Sequence, residues 1–457
     1  MNKKKEDLKK SQARKISIKE GSAWSLMEGF GSRYITPYAL YLGASNSQIG
    51  FLSSFPGLLG NIFQIPALKL FRNKNNTRKK IVFNFVLLQA LLWIPIIAIG
   101  FLYFFDFINA KLASNLLIIS YTAIVIAGTS ASSAWNSWMK DIIIKNNGQY
   151  FGRRSRIIHL VVILSMLIAG IILNFFGKED AFKGFMIIFF IAFIGRMISS
   201  YFIKKIYEPK FQYKESSYFT LRQFIKKMFY NNFGRFVIFV SLMSFATAIA
   251  GPFFAVYMLK DLNFNYINYI FITITSIISL ILFMPFWGKF GDKFGTMKAI
   301  RITSFFIPFV PLLWFFSIYI HNQILLTVYL IIAEFISGFA WAGFNLSSSN
   351  FVYDSVTKEK IAFCFAYFNI LNAFGAFIGA ALGGFISSKS DIFGIKSLLI
   401  IFILSAIMRF VVAIVMVPVL KEVREVKDFN VPSHIIKRLE LVEHMSLMPI
   451  EKFIKRE

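Results

Sequence analysis

Cysteine is almost missing from this 457-residue chain. Cys364 is the only one, which excludes an internal disulfide and a paired-thiol redox centre. Histidine is nearly as scarce, and the four present, His159, His321, His434 and His444, show no metal-ligand spacing. Neither His-Glu-x-x-His nor Gly-x-Ser-x-Gly occurs, so the sequence offers no metal-assisted or serine-nucleophile chemistry; neither an enzyme nor a cofactor is expected. Acidic residues are few: 23 Asp and Glu stand against 50 Lys and Arg, a net charge of +27. Such an excess would suit nucleic acid, yet the cations sit in the turns between apolar runs, the distribution that orients a membrane protein. No nucleic-acid partner is expected. A cleavable signal is also absent, because the basic start through Lys19 leads straight into a run of spanning length with no small-residue cleavage site.

What is present is apolar length. Hydrophobic residues make up 56% of the chain, too many for a water-soluble globule of this size. About twelve runs are long enough to cross roughly 30 Å of hydrocarbon as helices. They cover 22–43, 47–70, 80–105, 113–139, 156–176, 181–206, 233–259, 266–290, 297–320, 323–352, 361–388 and 397–420. Segments on one side hold roughly 32 Lys or Arg and those on the other about 6, which puts both termini in the cytoplasm of a multi-pass protein of the cell membrane. The expected organisation is a cytoplasmic segment 1–21, a six-helix half 22–206, a charged linker 207–232, a second half 233–420 and a cytoplasmic tail 421–457. In the tail Ile435, Ile436, Leu439 and Val442 recur at helical spacing, as in a short surface helix.

The two halves repeat. An offset of about 213 lays Asp141 on Asp354, Tyr150 on Phe363, Gly170 on Gly383 and Arg196 on Arg409. An offset of roughly 219 lays Lys69-Leu-Phe-Arg-Asn73-Lys74-Asn-Asn76-Thr77-Arg-Lys79 on Gly288-Lys-Phe-Gly-Asp292-Lys293-Phe-Gly295-Thr-Met-Lys298. The latter loop, Gly-x-x-x-Asp-Lys-x-Gly followed by a basic residue between the second and third helix of a half, resembles the signature of the major facilitator superfamily. Gly295 can take a backbone conformation closed to other residues, and Asp292 can sit near a helix N-terminus or a cation. Asn73 and Asn76 replace the aspartate and the second glycine in the first copy, weakening any latch there. The segment Gly148-Gln-Tyr-Phe-Gly-Arg153-Arg154-Ser-Arg156 resembles the arginine-rich turn of the same superfamily, with an anchoring role toward neighbouring helices and anionic lipid. The resemblance implies an all-α integral membrane protein of two pseudo-symmetric six-helix halves, in which every third helix lines a central cavity.

Polar residues follow that expectation. Along 323–352, Glu334, Ser337, Gly338, Trp341, Asn345 and Ser348 fall within about 60° of one line. Along 113–139, Thr122, Thr129, Ser133 and Asn136 do the same, with Lys140 just beyond. Lipid cannot satisfy such a stripe, so it must face protein or a water-filled cavity. Glu334 lies about 16 Å into its helix, near the bilayer centre, where a carboxyl can carry a proton; a buried structural hydrogen bond is the alternative. Glu28 and Arg33 share the first helix but point about 140° apart, so each is expected to find another partner. Arg33 suits an anionic group of a ligand and Glu28 a proton or cation; a structural ion pair between helices is the alternative. Arg196 and Arg409, equivalent in the two halves, are expected to snorkel toward cytoplasmic headgroups. Glycines at 375, 379, 383 and 384 should let a neighbouring helix approach closely. Tyr38 and Trp341 are the aromatics favoured for stacking on an organic ligand.

The resulting expectation is a secondary transporter working by alternating access on a small organic solute, with proton coupling through Glu334 and Glu28. Arg33, Tyr38, Ser133, Asn136, Trp341 and Asn345 would bind substrate. Gly288, Asp292, Lys293, Gly295 and Lys298 would form the cytoplasmic gating loop. Solute and bilayer are the expected partners of a monomer. Uniport, sodium coupling, or a non-transporting receptor or scaffold on the same fold are the alternatives, but an inert scaffold has no need of a buried carboxylate.

Overall fold

The computed structural model describes residues 2–69, 77–142, 147–177, 180–209, 220–356, 360–389, 391–392 and 395–424. Apart from one two-residue antiparallel ladder, β1 (Asp391–Ile392) with β2 (Ile395–Lys396), every regular element is helical. Asn73 and Asn76, and the tail positions Ile435, Ile436, Leu439 and Val442, lie outside the described residues, as does the side chain of Ser133.

The helices are α1 (Asn2–Phe30), α2 (Ile35–Tyr41), α3 (Asn46–Lys69), α4 (Arg78–Leu91), α5 (Trp93–Phe104), α6 (Ala110–Ile142), α7 (Asn147–Phe176) and α8 (Ala181–Lys205). Then come the short α9 (Leu221–Lys227), α10 (Asn232–Ala248), α11 (Phe253–Val256), α12 (Tyr266–Phe294), α13 (Thr296–Phe306), α14 (Phe309–Phe316), α15 (Gln323–Ser355), α16 (Ile361–Ser387) and α17 (Ser397–Met416). Ten helical stretches among the described residues are long and apolar enough to cross a membrane. The two remaining expected runs, 22–43 and 47–70, are covered by α1 with α2, which is charged and broken, and by α3, which contains Pro56 and Pro66. Proline explains the paired segments: Pro95, Pro252 and Pro308 sit at or just after the junctions α4/α5, α10/α11 and α13/α14, where a missing N–H interrupts the helical ladder.

The charged segment 1–21 is helical and continuous with the first apolar run, since α1 runs without interruption from Asn2 to Phe30. Ala13, Ser17 and Glu20 on it are buried, at 1%, 0% and 5% exposure.

Contacts divide the chain into two compact units. The first holds residues 1–216 together with 247–274 and 373–401. In it α1 packs on α7 and α8, α3 on α6, and α4 on α6 and α8. Trp93, Trp138, Phe185 and Phe189 are wholly buried. The end of this unit nearest residues 44–50 is closed by close backbone approach. Asn46 Nδ2 donates to the Ser387 carbonyl at 2.6 Å, Ser47 Oγ to that of Gly384 at 3.3 Å, and Lys260 Nζ to that of Ala44 at 3.3 Å. A Cβ on Gly383 would lie 2.1 Å from the Ile249 carbonyl oxygen, and one on Gly50 2.5 Å from that of Ala380. The glycines of α16 therefore do what small residues at membrane interfaces do: they let main chains touch.

The second unit holds residues 217–246, 275–372 and 402–457. Its core is aromatic, with Phe236, Phe239, Phe344 and Phe351 packed among Met243, Ile300 and Val412. α13 packs on α15, and Trp287 donates its indole N–H to the Phe339 carbonyl at 3.0 Å.

α8 and α17 each present one apolar exposed face, Ile187, Phe190, Ile194 and Ile198 on the first, Ile407, Val411 and Ile414 on the second. Spacing of three to four residues makes each a lipid-facing stripe. The arginines are on the other face: Arg196 is 4% and Arg409 1% exposed, so neither snorkels toward headgroups.

Candidate functional site

Arg196 has a full set of partners inside the first unit. Its Nε donates to Gln89 Oε1 at 2.8 Å and its Nη1 to Ser199 Oγ at 2.9 Å. Glu20 completes the group, with Oε1 accepting from Ser199 Oγ at 2.9 Å and lying 3.8 Å from Arg196 Nη1. The other carboxylate oxygen of Glu20 is 3.2 Å from Arg154 Nη2. Arg154 donates its Nε to the Ser17 carbonyl and lies over Trp135, its guanidinium carbon 4.3 Å from the ring centroid. Tyr150 adds a hydrogen bond with Ser17 and donates to the Arg14 carbonyl. Charges out of water are tolerated when paired and hydrogen-bonded in this way. Arg154 thus anchors the half-bundle as expected, by holding α7 to α1.

Glu20, Gln89, Trp135, Arg154 and Arg196 of this network border a cavity of about 380 Å³ within the first unit. Glu20, Trp24, Met27 and Glu28 come from α1, Gln89 from α4, Tyr121, Thr129, Ser132, Trp135 and Asn136 from α6, Arg154 from α7 and Arg196 from α8. The expected polar stripe of α6 thus faces a cavity at Thr129 and Asn136. Asn136 is exposed to it, its Nδ2 3.5 Å from Ser132 Oγ.

Glu28 and Arg33 correct the expectation that they diverge. Arg33 Nε lies 3.1 Å from Glu28 Oε1. The angular count assumed a continuous α-helix, but α1 ends at Phe30 and Ser32–Tyr34 winds as a 3-10 turn, which swings Arg33 back over Glu28. Gly31 sits at that break because a Cβ there would fall 2.3 Å from the Trp93 ring.

Tyr38 is also corrected. It is fully buried, donates to the Ile96 carbonyl at 3.1 Å, and meets Phe189 edge to face at 4.8 Å. It packs against Phe185 and Phe189.

In the second unit, Glu334 accepts a hydrogen bond from Trp314 Nε1 at 3.2 Å and interacts electrostatically with Arg409, whose Nη1 donates to the Ile307 carbonyl at 3.2 Å. Lower on α15, Gly338 touches α12: a Cβ would lie 2.3 Å from the Ser276 carbonyl oxygen. Trp341 is half-buried with its ring edge against Phe344, and Asn345 is exposed. The α15 stripe therefore mixes helix contact at Gly338 with accessible polar surface at Asn345.

The loop between α12 and α13 closes around Gly295, whose φ of +98° and ψ of 152° exclude a side chain without strain. Gly288 has no such need, since its nearest neighbour, Leu346, is at ordinary van der Waals distance. Asp292 is 3.7 Å from Arg424 Nη1, and Arg424 Nη2 donates to Asp354 at 2.6 Å. Lys293 lies over the Phe294 ring, and Lys298 is partly buried on the first turn of α13. The α13 N-terminus is held by Glu422, which accepts from Met297 N at 2.8 Å, so it is Glu422 and not Asp292 that meets the helix dipole. The first half matches in outline: Arg78 Nη1 meets Asp141, the repeat partner of Asp354, at 2.7 Å, and Arg78 Nε lies 3.7 Å from Glu208. Replacing Gly295 by alanine should cost about 1–3 kcal/mol of local strain and lower the unfolding temperature in detergent; an unchanged temperature would show the loop free to rearrange.

A sequence model described as Major Facilitator Superfamily matches residues 25–352 and again 236–450. The multi-drug resistance efflux pump PmrA homolog of Lactococcus lactis subsp. lactis (strain IL1403) is 24% identical over 255 residues, 53% of this chain. The match spans 59% of that relative's length. A point mutant of the nucleoside transporter NupG has a similar structure, with a TM-score of 0.69 at 17% identity over 90% of this chain and 100% of that one. A bacterial homologue of the iron transporter ferroportin, in its inward-facing state, gives 0.68 at 11% identity over 89% of this chain and 98% of that one. These likenesses show a shared fold. With ten helical stretches among the described residues long and apolar enough to cross a membrane, and with the family match running over both repeats, the chain is a multi-pass membrane protein and belongs to the major facilitator superfamily.

Proposed function

We propose that the protein is a secondary transporter that moves a small organic solute by alternating access, with protons as the coupling ion. The observation that carries the coupling is Glu334, a carboxyl deep in α15 that accepts from the Ser276 hydroxyl and the Trp314 indole N–H and has one nearby cation, Arg409. A carboxyl so placed can exchange a proton for its interaction with Arg409. Glu28, paired with Arg33 beside the first unit's cavity, is the second candidate. Asn136, Asn345 and Trp341 remain the favoured solute contacts, together with Ser133, three residues before Asn136.

Residues 22–206 and 233–420 act in this reading as the two rocking halves, with the loop residues Gly288, Asp292, Lys293, Gly295 and Lys298 as the gating latch on the cytoplasmic side. Closure of the first unit near residues 44–50 supports a state sealed at the far end. Both termini are assigned to the cytoplasm of the cell membrane from the Lys and Arg asymmetry. The relative described as a multi-drug efflux pump favours outward transport.

The test is proton movement across proteoliposomes on adding candidate solutes, with the wild type beside Glu334→Gln. Solute-dependent proton flux in the wild type, abolished by the substitution, is the expected result. Solute flux without proton flux in either protein would overturn coupling and leave a uniporter or sodium-coupled carrier.

A further inference from the structure

The cavity of the first unit carries a charge imbalance. Its border and its immediate ion pairs hold three guanidinium groups, Arg33, Arg154 and Arg196, against two carboxylates, Glu20 and Glu28. Glu28 is taken by Arg33, which leaves Glu20 alone between two arginines. Arg196 has neutral acceptors as well, in Gln89 and Ser199. Among the described residues Arg154 has only Glu20 and one main-chain carbonyl as acceptors, and it is the arginine that lies over Trp135 at the cavity wall. Beside it Trp135 Nε1 is buried with no acceptor among the described residues. A buried donor left unmade is costly, and so is a net cation in a low-dielectric cavity. One ligand chemistry answers both needs, an anion whose oxygens take the Arg154 guanidinium and the Trp135 N–H. The walls say what the rest of that ligand is. Trp24, Met27, Val86, Tyr121 and Ile124 offer flat and apolar surface, and about 380 Å³ holds a body of one or two rings.

We propose that the first unit's cavity binds an aromatic monocarboxylate, whose carboxylate pairs with Arg154 and Trp135 Nε1 while Glu20 acts as the built-in counter-ion that holds the arginines when the ligand is gone. Glu20 and the ligand then compete for Arg154. This assigns the solute's chemical class and rests on the transporter reading above.

The full-length protein in detergent would be titrated with 2-naphthoate and with its neutral isostere 2-naphthamide, followed by equilibrium dialysis. Naphthoate should bind more tightly than the amide by about tenfold, the scale of one charge-assisted hydrogen-bonded pair. Glu20→Gln keeps an acceptor for Ser199 but removes the competing charge, so naphthoate affinity should rise about tenfold while the amide is unaffected. Arg154→Gln should abolish the preference. Trp135→Phe leaves an aromatic ring under Arg154 but removes the N–H together with part of the indole surface, and should weaken naphthoate a few-fold more than the amide; it guards against an Arg154 variant that fails to fold. Equal binding of acid and amide, or no naphthoate binding to either wild type or Glu20→Gln at millimolar concentration, overturns the proposal. Proteoliposome flux separates it from the broader reading. Flux of the amide without preference for the acid would leave a transporter and remove the anion site, whereas charge-selective binding with no flux of either would leave the site and remove the transporter.

Discussion

Replacing Gly383 with alanine should unseal the first unit and stop transport without preventing insertion. The added Cβ would stand 2.1 Å from the Ile249 carbonyl oxygen and 2.8 Å from the Phe253 ring. A main-chain carbonyl in the buried turn between α10 and α11 cannot swing aside as a side-chain tip can, so α16 must move away from the segment that carries Ile249. Overpacking of this kind costs about 1–3 kcal/mol, enough to shift a two-state equilibrium by roughly 5–150-fold. The neighbouring contacts would go with it, since Gly384 lies against Ser47 and Ser387 receives Asn46. Cys364 is the only thiol, so a Cys364→Ser background is silent. Ser47→Cys placed in that background should react with a membrane-impermeant maleimide at least about tenfold faster when Gly383 is alanine. Unchanged labelling together with normal flux would mean that the seal tolerates the methyl group.

The second large effect is on stability. Arg196→Ala removes the cation from a site where Gln89, Ser199 and Glu20 all point at it. Glu20 keeps Arg154, but Gln89 Oε1 loses its donor and the Glu20–Ser199 pair loses half its compensation. Breaking a buried pair from one side costs about 3–5 kcal/mol. The apparent unfolding temperature in detergent should therefore fall further for Arg196→Ala than for alanine at exposed Arg153 or Arg156. Had Arg196 been snorkelling, all three changes would be equally mild, and that result would reject the network. Arg196→Lys should recover only part of the loss, because an ammonium cannot serve Gln89 and Ser199 with the fixed fork of a guanidinium.

Those two arginines mark where the sequence was legible and where it was not. The repeat offset found them and gave them one role in both halves, which is right; their depth in apolar helices suggested lipid headgroups, which is wrong. The missing information was the partner. Glu20 lies within the charged opening segment, where an acidic residue among lysines looks like solvated surface. A signal existed: Ala13, Ser17, Ala23 and Met27 follow helical spacing and continue the buried face of α1 upstream of the first apolar run. Spans, repeats and the need for glycine at 295 could all be read locally, since hydropathy, self-similarity and turn chemistry are local properties. The Glu28–Arg33 pair could not, because it depends on a helix break set by the crowding of Gly31 against Trp93, which is some sixty residues away in sequence.

A duplication copies a cation together with whatever neutralises it, yet here only the cation recurs. Arg196 is answered by Glu20 from α1 and Arg409 by Glu334 from α15, while the repeat offset of about 213 lays Glu334 on Tyr121 and Glu20 on Phe233. Neither carboxylate has a counterpart in the other half. At least one of them was therefore acquired, or its twin lost, after the two copies parted. The halves are siblings in architecture that have since diverged in electrostatics, so a chimera built from two copies of either half would carry two arginines with matched partners, but would lose the asymmetry between them.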